Sequence, residues 1–234
     1  MEHKRLTLFA GHYGSGKTNI AVNYALYLAR EGKNVVIADL DIVNPYFRTK
    51  DSARVLEEGG VTLISPQYAN TNVDLPALPA ESYRLVQDKS IYGIMDIGGD
   101  DRGAYALGRY VPAIKEENNY RMVFVANCCR PLTRTPEDAL EVMREIEAAC
   151  GLQFTDIINN SNLASETTAE TVLASVSYVE KLAQLSGLPV FATCAEASVA
   201  EALADRIPNV LSLQLQEKYF DLPSQKPGNR PLWG

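Results

Sequence analysis

The 234-residue chain holds 29 acidic and 22 basic residues, a formal charge of −7 that argues against a broad nucleic-acid-binding face. No apolar run approaches the roughly 18 residues of a spanning helix, and MEHKRLTLFA is too short an apolar start for a secretory leader. Cys128, Cys129, Cys150 and Cys194 lack framework spacing, which fits a reduced, cytoplasmic protein with one sizeable core.

Short β-branched runs alternate with longer amphipathic segments along the chain. LTLFA, residues 6–10, predicts a strand, and residues 17–30 a helix with Ile20, Tyr24, Tyr27 and Leu28 near one face. NVVIADL (34–40) is a second buried strand, residues 48–58 a helix, and VTLIS (61–65) a short strand. The proline-containing stretch PQYANTNVDLPALPAE reads as an excursion with a short helix around residues 80–88. IYGIMDI (91–97) is a strand, followed by a helix over 104–117 broken or kinked near Pro112. RMVFVAN (121–127) is a strand, and Pro136 opens a helix to about residue 149 with Thr135 as its N-cap. A strand over 154–160, a long helix over 166–186 ending at Gly187, a strand over 188–193, a helix over 195–206 and a last strand over 210–215 complete the pattern.

Apolar strands separated by helices of this length imply parallel pairing through right-handed crossovers. The expected fold class is therefore α/β: a doubly wound, mostly parallel sheet with helices on both faces. Residues 1–216 read as one domain, and the Pro- and Gly-rich tail 217–234 is expected to pack on it.

The strongest motif is GHYGSGKT, residues 11–18, which satisfies G-x-x-x-x-G-K-[ST] between a buried strand and a helix. Gly14 and Gly16 permit a tight turn whose N–H groups converge on a phosphate, and the helix adds its N-terminal dipole. Lys17 is suited to the β- and γ-phosphates and the Thr18 hydroxyl to Mg²⁺. Candidate nucleotide contacts are Gly11, His12, Gly14, Ser15, Gly16, Lys17, Thr18 and Asn19. Two stretches supply carboxylates at strand ends, where open parallel sheets place ligands. Asp96 in MDIGGD fits a Mg²⁺-holding position, and its Gly-Gly pair lets the backbone approach the γ-phosphate. Asp39 and Asp41 in ADLDIVNP alternate, so at most one points directly at the phosphates.

GHYGSGKT, ADLDIVNPYF and MDIGGDDRG together resemble the ParA/MinD-like ATPases, the family of partitioning, division-site, nitrogenase iron-protein and metal-insertion ATPases. The resemblance extends to about residue 215 and implies a single doubly wound domain that binds Mg-ATP and dimerises face to face across the nucleotides. On that pattern Asp41 positions the attacking water and, with Lys17, carries catalysis. Asp96 is the Walker B aspartate, and Asp39 the acidic residue two positions before Asp41; with Thr18 they form the metal set. Asn160 resembles the asparagine that recognises the adenine edge, with Asn159 as its rival. No Asn-Lys-x-Asp guanine motif is present.

The chain departs from the family at His12, where a lysine that reaches into the partner subunit is usual. His12 can donate to phosphate, a nearby arginine (Arg102 or Arg48) can supply the charge, or hydrolysis can be slow or proceed without a face-to-face dimer. The adjacent Cys128 and Cys129 do not have zinc-site spacing; a subunit-bridging metal and a buried pair of loop cysteines stand as alternatives. The leading expectation is a Mg-ATP-dependent switch or slow ATPase acting on a protein or metallocentre client, with a nucleotide-dependent homodimer. A small-molecule kinase or ATP-dependent ligase-like enzyme and a non-hydrolysing nucleotide-dependent scaffold are the alternatives. Neither a nucleic-acid nor a membrane partner is expected.

Overall fold

In the computed structural model, residues 3–40, 53–64, 80–99 and 101–214 are described. Their strands form one parallel sheet: β1 (Leu6–Ala10), β2 (Val35–Leu40), β3 (Thr62–Ile64), β4 (Tyr92–Ile97), β5 (Tyr120–Ala126), β6 (Asp156–Asn159), β7 (Val190–Glu196) and β8 (Val210–Leu213). Their order is β3-β2-β4-β1-β5-β6-β7-β8, so β1 lies between β4 and β5 and the chain reverses its direction of travel there. Ligands of open parallel sheets bind beyond the carboxyl ends of strands at such a reversal. This is the α/β doubly wound architecture expected from the strand and helix alternation.

The strands are apolar throughout because both sheet faces are covered. Leu6, Leu8 and Ala10 of β1 point into one core cluster with Met95, Phe124 and Tyr110. Phe9 points into the other with Ile20, Ala21, Leu28 and Ile37. The first face is covered by α3 (Arg84–Gln87), α4 (Asp101–Gly108), α5 (Val111–Glu117), α6 (Pro136–Cys150) and α8 (Val176–Ser186). The second is covered by α1 (Lys17–Arg30) and α2 (Ala53–Glu58). α7 (Ala169–Ala174) and α9 (Ala197–Leu203) join a smaller cluster by the β7–β8 edge.

Several boundaries differ from the sequence reading for local reasons. The 104–117 segment is two helices that part at Arg109–Tyr110, and Pro112 lies in the first turn of α5, where its missing N–H costs no helical bond. Tyr110 at this corner is fully buried, and its hydroxyl meets Ser82 Oγ at 2.5 Å. The 166–186 helix divides at Ser175, whose hydroxyl donates to the Val172 carbonyl at 2.7 Å and accepts from Asn159 Nδ2 at 2.8 Å. β7 continues to Glu196, three residues beyond its expected end, by pairing with β8. Tyr27 does not join the core face of α1; it is exposed, and its hydroxyl donates to Glu31 at 2.6 Å. Thr135 caps α6 as expected, in a reciprocal box with Asp138. Cys150 and Cys194 are buried, and burial pushes both thiols up.

Candidate functional site

The loop between β1 and α1 has the backbone that its glycines foretell. Gly14 and Gly16 adopt φ of 75° and 92°, in the left-handed region where a side chain is strained. A Cβ on Gly11 would lie 2.7 Å from the Val125 carbonyl oxygen, so the start of the loop is fitted against β5. The Ser15 N–H closes the turn on the His12 carbonyl at 3.1 Å. α1 begins after Gly16 with no side-chain cap and no acidic residue in its first turn. Its amino-terminal N–H groups are therefore available to an anion.

Lys17 is 1% exposed, and its Nζ donates to the His12 carbonyl at 3.3 Å, folding the ammonium over the loop. Thr18 faces the sheet, and its hydroxyl donates to the Asp96 carboxylate at 2.5 Å. Asp96 is the penultimate residue of β4, and its register partner on β2 is Asp39. Neighbouring register positions on parallel strands share a face, so both buried carboxylates stand on the α1 side of the sheet with Thr18. Three oxygen-bearing side chains thus converge beside the loop. Hard oxygen donors of this kind suit Mg²⁺, and Thr18 and Asp96 already touch each other. Asp41 lies outside the described residues, as do Arg48, the side chain of Arg102 and the 217–234 tail.

The rest of the expected nucleotide set is placed as follows. His12 is half-buried, and its Nδ1 lies 3.0 Å from the Tyr13 carbonyl, while Tyr13 is exposed. Ser15 is buried, and its Oγ has no hydrogen-bond partner among the described residues. Asn19, in the first turn of α1, accepts from Asn23 through its carbonyl at 2.8 Å. Asn160 and Asn159 separate cleanly. Asn159 is committed to the fold: it donates to Ser175 Oγ and accepts from the Ser161 N–H at 3.2 Å. Asn160 reaches the phosphate loop instead, donating through Nδ2 to the Ser15 carbonyl at 2.7 Å. A Cβ on Gly16 would fall 2.2 Å from that same nitrogen.

Two further contacts reach the loop from other strand ends. The segment after β4 packs flush on the loop: a Cβ on Gly99 would meet Tyr13 N at 2.6 Å and Lys17 Nζ at 3.0 Å. From the turn after β5, Arg130 Nε donates to the Gly14 carbonyl at 2.8 Å. In NCCRP the arginine, rather than either cysteine, is the residue that meets the loop. The turn is rigidly held. The Asn127 carbonyl accepts from Arg130 N and Thr133 Oγ1, and Asn127 Oδ1 accepts from Cys129 N. Cys128 and Cys129 are half-buried free thiols; burial raises the Cys129 thiol and its neighbour Cys128 raises it further. Among the described residues no group of three or more His, Cys, Asp or Glu side chains is placed to hold a metal, and no helix is long and apolar enough to cross a membrane.

Residues 6–189 match the family model described as the CobQ/CobB/MinD/ParA nucleotide binding domain. A search of curated proteins finds no match. Among solved structures, the cell division protein FtsY of Thermotoga maritima is similar at a TM-score of 0.56 and 18% identity, over 81% of this chain and 61% of that one. The signal recognition particle receptor FtsY of Elizabethkingia anophelis in complex with GDP has a TM-score of 0.53 at 16% identity, over 82% of this chain and 58% of that one. The signal recognition particle 54 kDa protein of Aeropyrum pernix in complex with GDP has a TM-score of 0.52 at 17% identity, over 82% and 41%. The chain thus spans about three fifths of the FtsY proteins and two fifths of the 54 kDa protein. At these identities the likeness is one of fold, that of the P-loop NTPases.

Proposed function

Because this chain belongs to the CobQ/CobB/MinD/ParA nucleotide-binding domain family, we propose that it binds Mg-ATP and works as a conformational switch or slow ATPase on a protein or metallocentre partner. The observation that carries this reading is the Thr18–Asp96 hydrogen bond beside the buried Lys17. It brings a phosphate-loop hydroxyl, a strand-end carboxylate and a loop cation to one place.

The chemistry is phosphoryl transfer to water. The loop N–H groups and the α1 terminus bind the phosphates, and Lys17 stabilises charge on them. Thr18 and Asp96 would hold Mg²⁺, with Asp39 close by; when bound, the ion neutralises charge on the β- and γ-oxygens. Asp41 orients the attacking water on the family pattern. Gly99 seats the segment after β4 against Tyr13, so movement of that segment reports on the loop. Asn160 is proposed to serve the base while holding Ser15, which favours adenine; the two GDP complexes named above make guanine the competitor to exclude.

Phosphate release and nucleotide titration test the proposal. Slow release from ATP, lost in Lys17→Ala, supports it, as does tighter binding of ATP than GTP. Tight ATP binding with no release points to a scaffold. Release only with a phosphorylated small acceptor points to a kinase. Failure to bind either nucleotide refutes the reading of the site.

A further inference from the structure

The guanidinium of Arg130 is the second cation tied to the phosphate loop. Its Nε–H is taken by the Gly14 carbonyl at 2.8 Å, which fixes the plane of the group at the loop's crown. An ideal Cβ at Gly14 would lie 3.5 Å from Nε and 3.7 Å from Cζ, so the guanidinium lies directly on that residue. Arg130 is half-buried, and among the described residues no hydrogen bond or ion pair uses its two terminal nitrogens. A guanidinium carries five N–H donors in a planar fork, and a single one is spent on Gly14. The position is preorganised, because Asn127 anchors the turn from both sides of Arg130.

Lys17 and Arg130 differ in how they meet the loop. Lys17 comes from within and is buried against the His12 carbonyl. Arg130 comes from the β5 side and keeps its outer edge open. His12 does not occupy that role: its Nδ1 turns to the adjacent Tyr13 carbonyl. A nucleoside triphosphate brings several negative charges, and a cation with spare donors held at the loop suits charge-assisted phosphate recognition.

We infer that Arg130 is a phosphate-binding residue of this site, the cation that contacts the polyphosphate from the β5 side while its Nε steadies Gly14. The inference rests on the nucleotide reading of the loop. It requires the charge of Arg130, beyond the hydrogen bond to Gly14.

Equilibrium titration of a fluorescent ATP analogue against wild type, Arg130→Gln and Arg130→Lys tests it, with thermal unfolding of each protein without nucleotide as the check on folding. With unfolding midpoints unchanged, Arg130→Gln should bind roughly tenfold to a hundredfold more weakly, while Arg130→Lys, still cationic, stays within roughly fivefold. Unchanged affinity in Arg130→Gln overturns the inference. An equal loss in both variants also overturns it, since the contact with Gly14 would then account for the effect. A wild type that binds neither ATP nor GTP overturns the underlying reading as well, whereas a binding wild type matched by Arg130→Gln overturns the inference alone.

Discussion

Replacing Gly99 with alanine probes the fit between the segment after β4 and the phosphate loop. The new Cβ would stand 2.6 Å from Tyr13 N, 2.8 Å from Tyr13 Cα and 3.0 Å from Lys17 Nζ. Ordinary contact begins near 3.4 Å, so the two backbones must part by about 0.8 Å. Lysine can bend away, but the Tyr13 backbone belongs to a turn closed by the Ser15-to-His12 bond at 3.1 Å. Crowding of this kind costs about 1–3 kcal/mol. In a chain of this length each kcal/mol lowers the melting temperature by roughly 2–4 °C, so calorimetry should show a fall of about 2–12 °C. The displacement falls in the loop proposed to hold the reacting phosphates, where an error of about 1 Å costs up to roughly a hundredfold in rate, so phosphate release should drop with it. A Gly99→Ala protein with wild-type melting, ATP affinity and phosphate release would refute the argument, because it would show that the two segments are not in fitted contact.

Thr18→Val removes the donor to the Asp96 carboxylate; apo stability should fall by about 1.5–3 kcal/mol in urea unfolding, and the gain in ATP affinity on adding Mg²⁺ over EDTA should vanish, with Thr18→Ser restoring both. Glu117 offers a pH test. Its carboxyl is held below the ordinary value of 4.5, first by the hydrogen bond from the Arg5 guanidinium and also by Lys89, against the opposing effect of burial. A lowered folded-state pKa means that the unfolded chain binds the extra proton between the two values. This stabilisation is complete above 4.5 and is lost as pH falls through the lower folded value. Unfolding curves from pH 6 downward should therefore be steeper for wild type than for Glu117→Gln, and equal slopes would remove the pair from the acid response.

The sheet was legible because its strands are short, apolar and β-branched, and because Gly, Pro and Thr135 mark helix ends. Helix α1 begins and ends where expected, since Gly16 and the Lys17–Arg30 periodicity are local signals. Tyr27 misled because an aromatic at the right spacing reads as core, while its hydroxyl finds Glu31 one turn away in solvent. At the site, Lys17, Thr18 and Asp96 were readable as a motif and a strand end. The Gly98–Gly99 pair was readable as a close backbone approach, but its fit against Tyr13 was not, and neither was Arg130: each meets the loop from a different strand end, and no spacing rule connects residues that only the sheet order makes neighbours. Asn160 was singled out through the family resemblance, but its bond to Ser15 is a tertiary contact that the resemblance did not describe.

The phosphate loop occupies eight consecutive residues, yet what holds its shape comes much later in the chain. Arg130 is 116 residues downstream of Gly14, and Asn160 is 145 residues beyond Ser15. β1 itself waits for β4 and β5, with Leu6 opposite Gly93 and Tyr120. Such separation gives a high contact order, which slows folding, because the closure entropy of long loops comes before the contacts that reward it. During synthesis the loop sequence therefore emerges long before its support does. A nascent fragment ending before residue 160 carries the whole motif without the Asn160–Ser15 bond that braces it, so the loop reaches its final shape only after most of the sheet has formed.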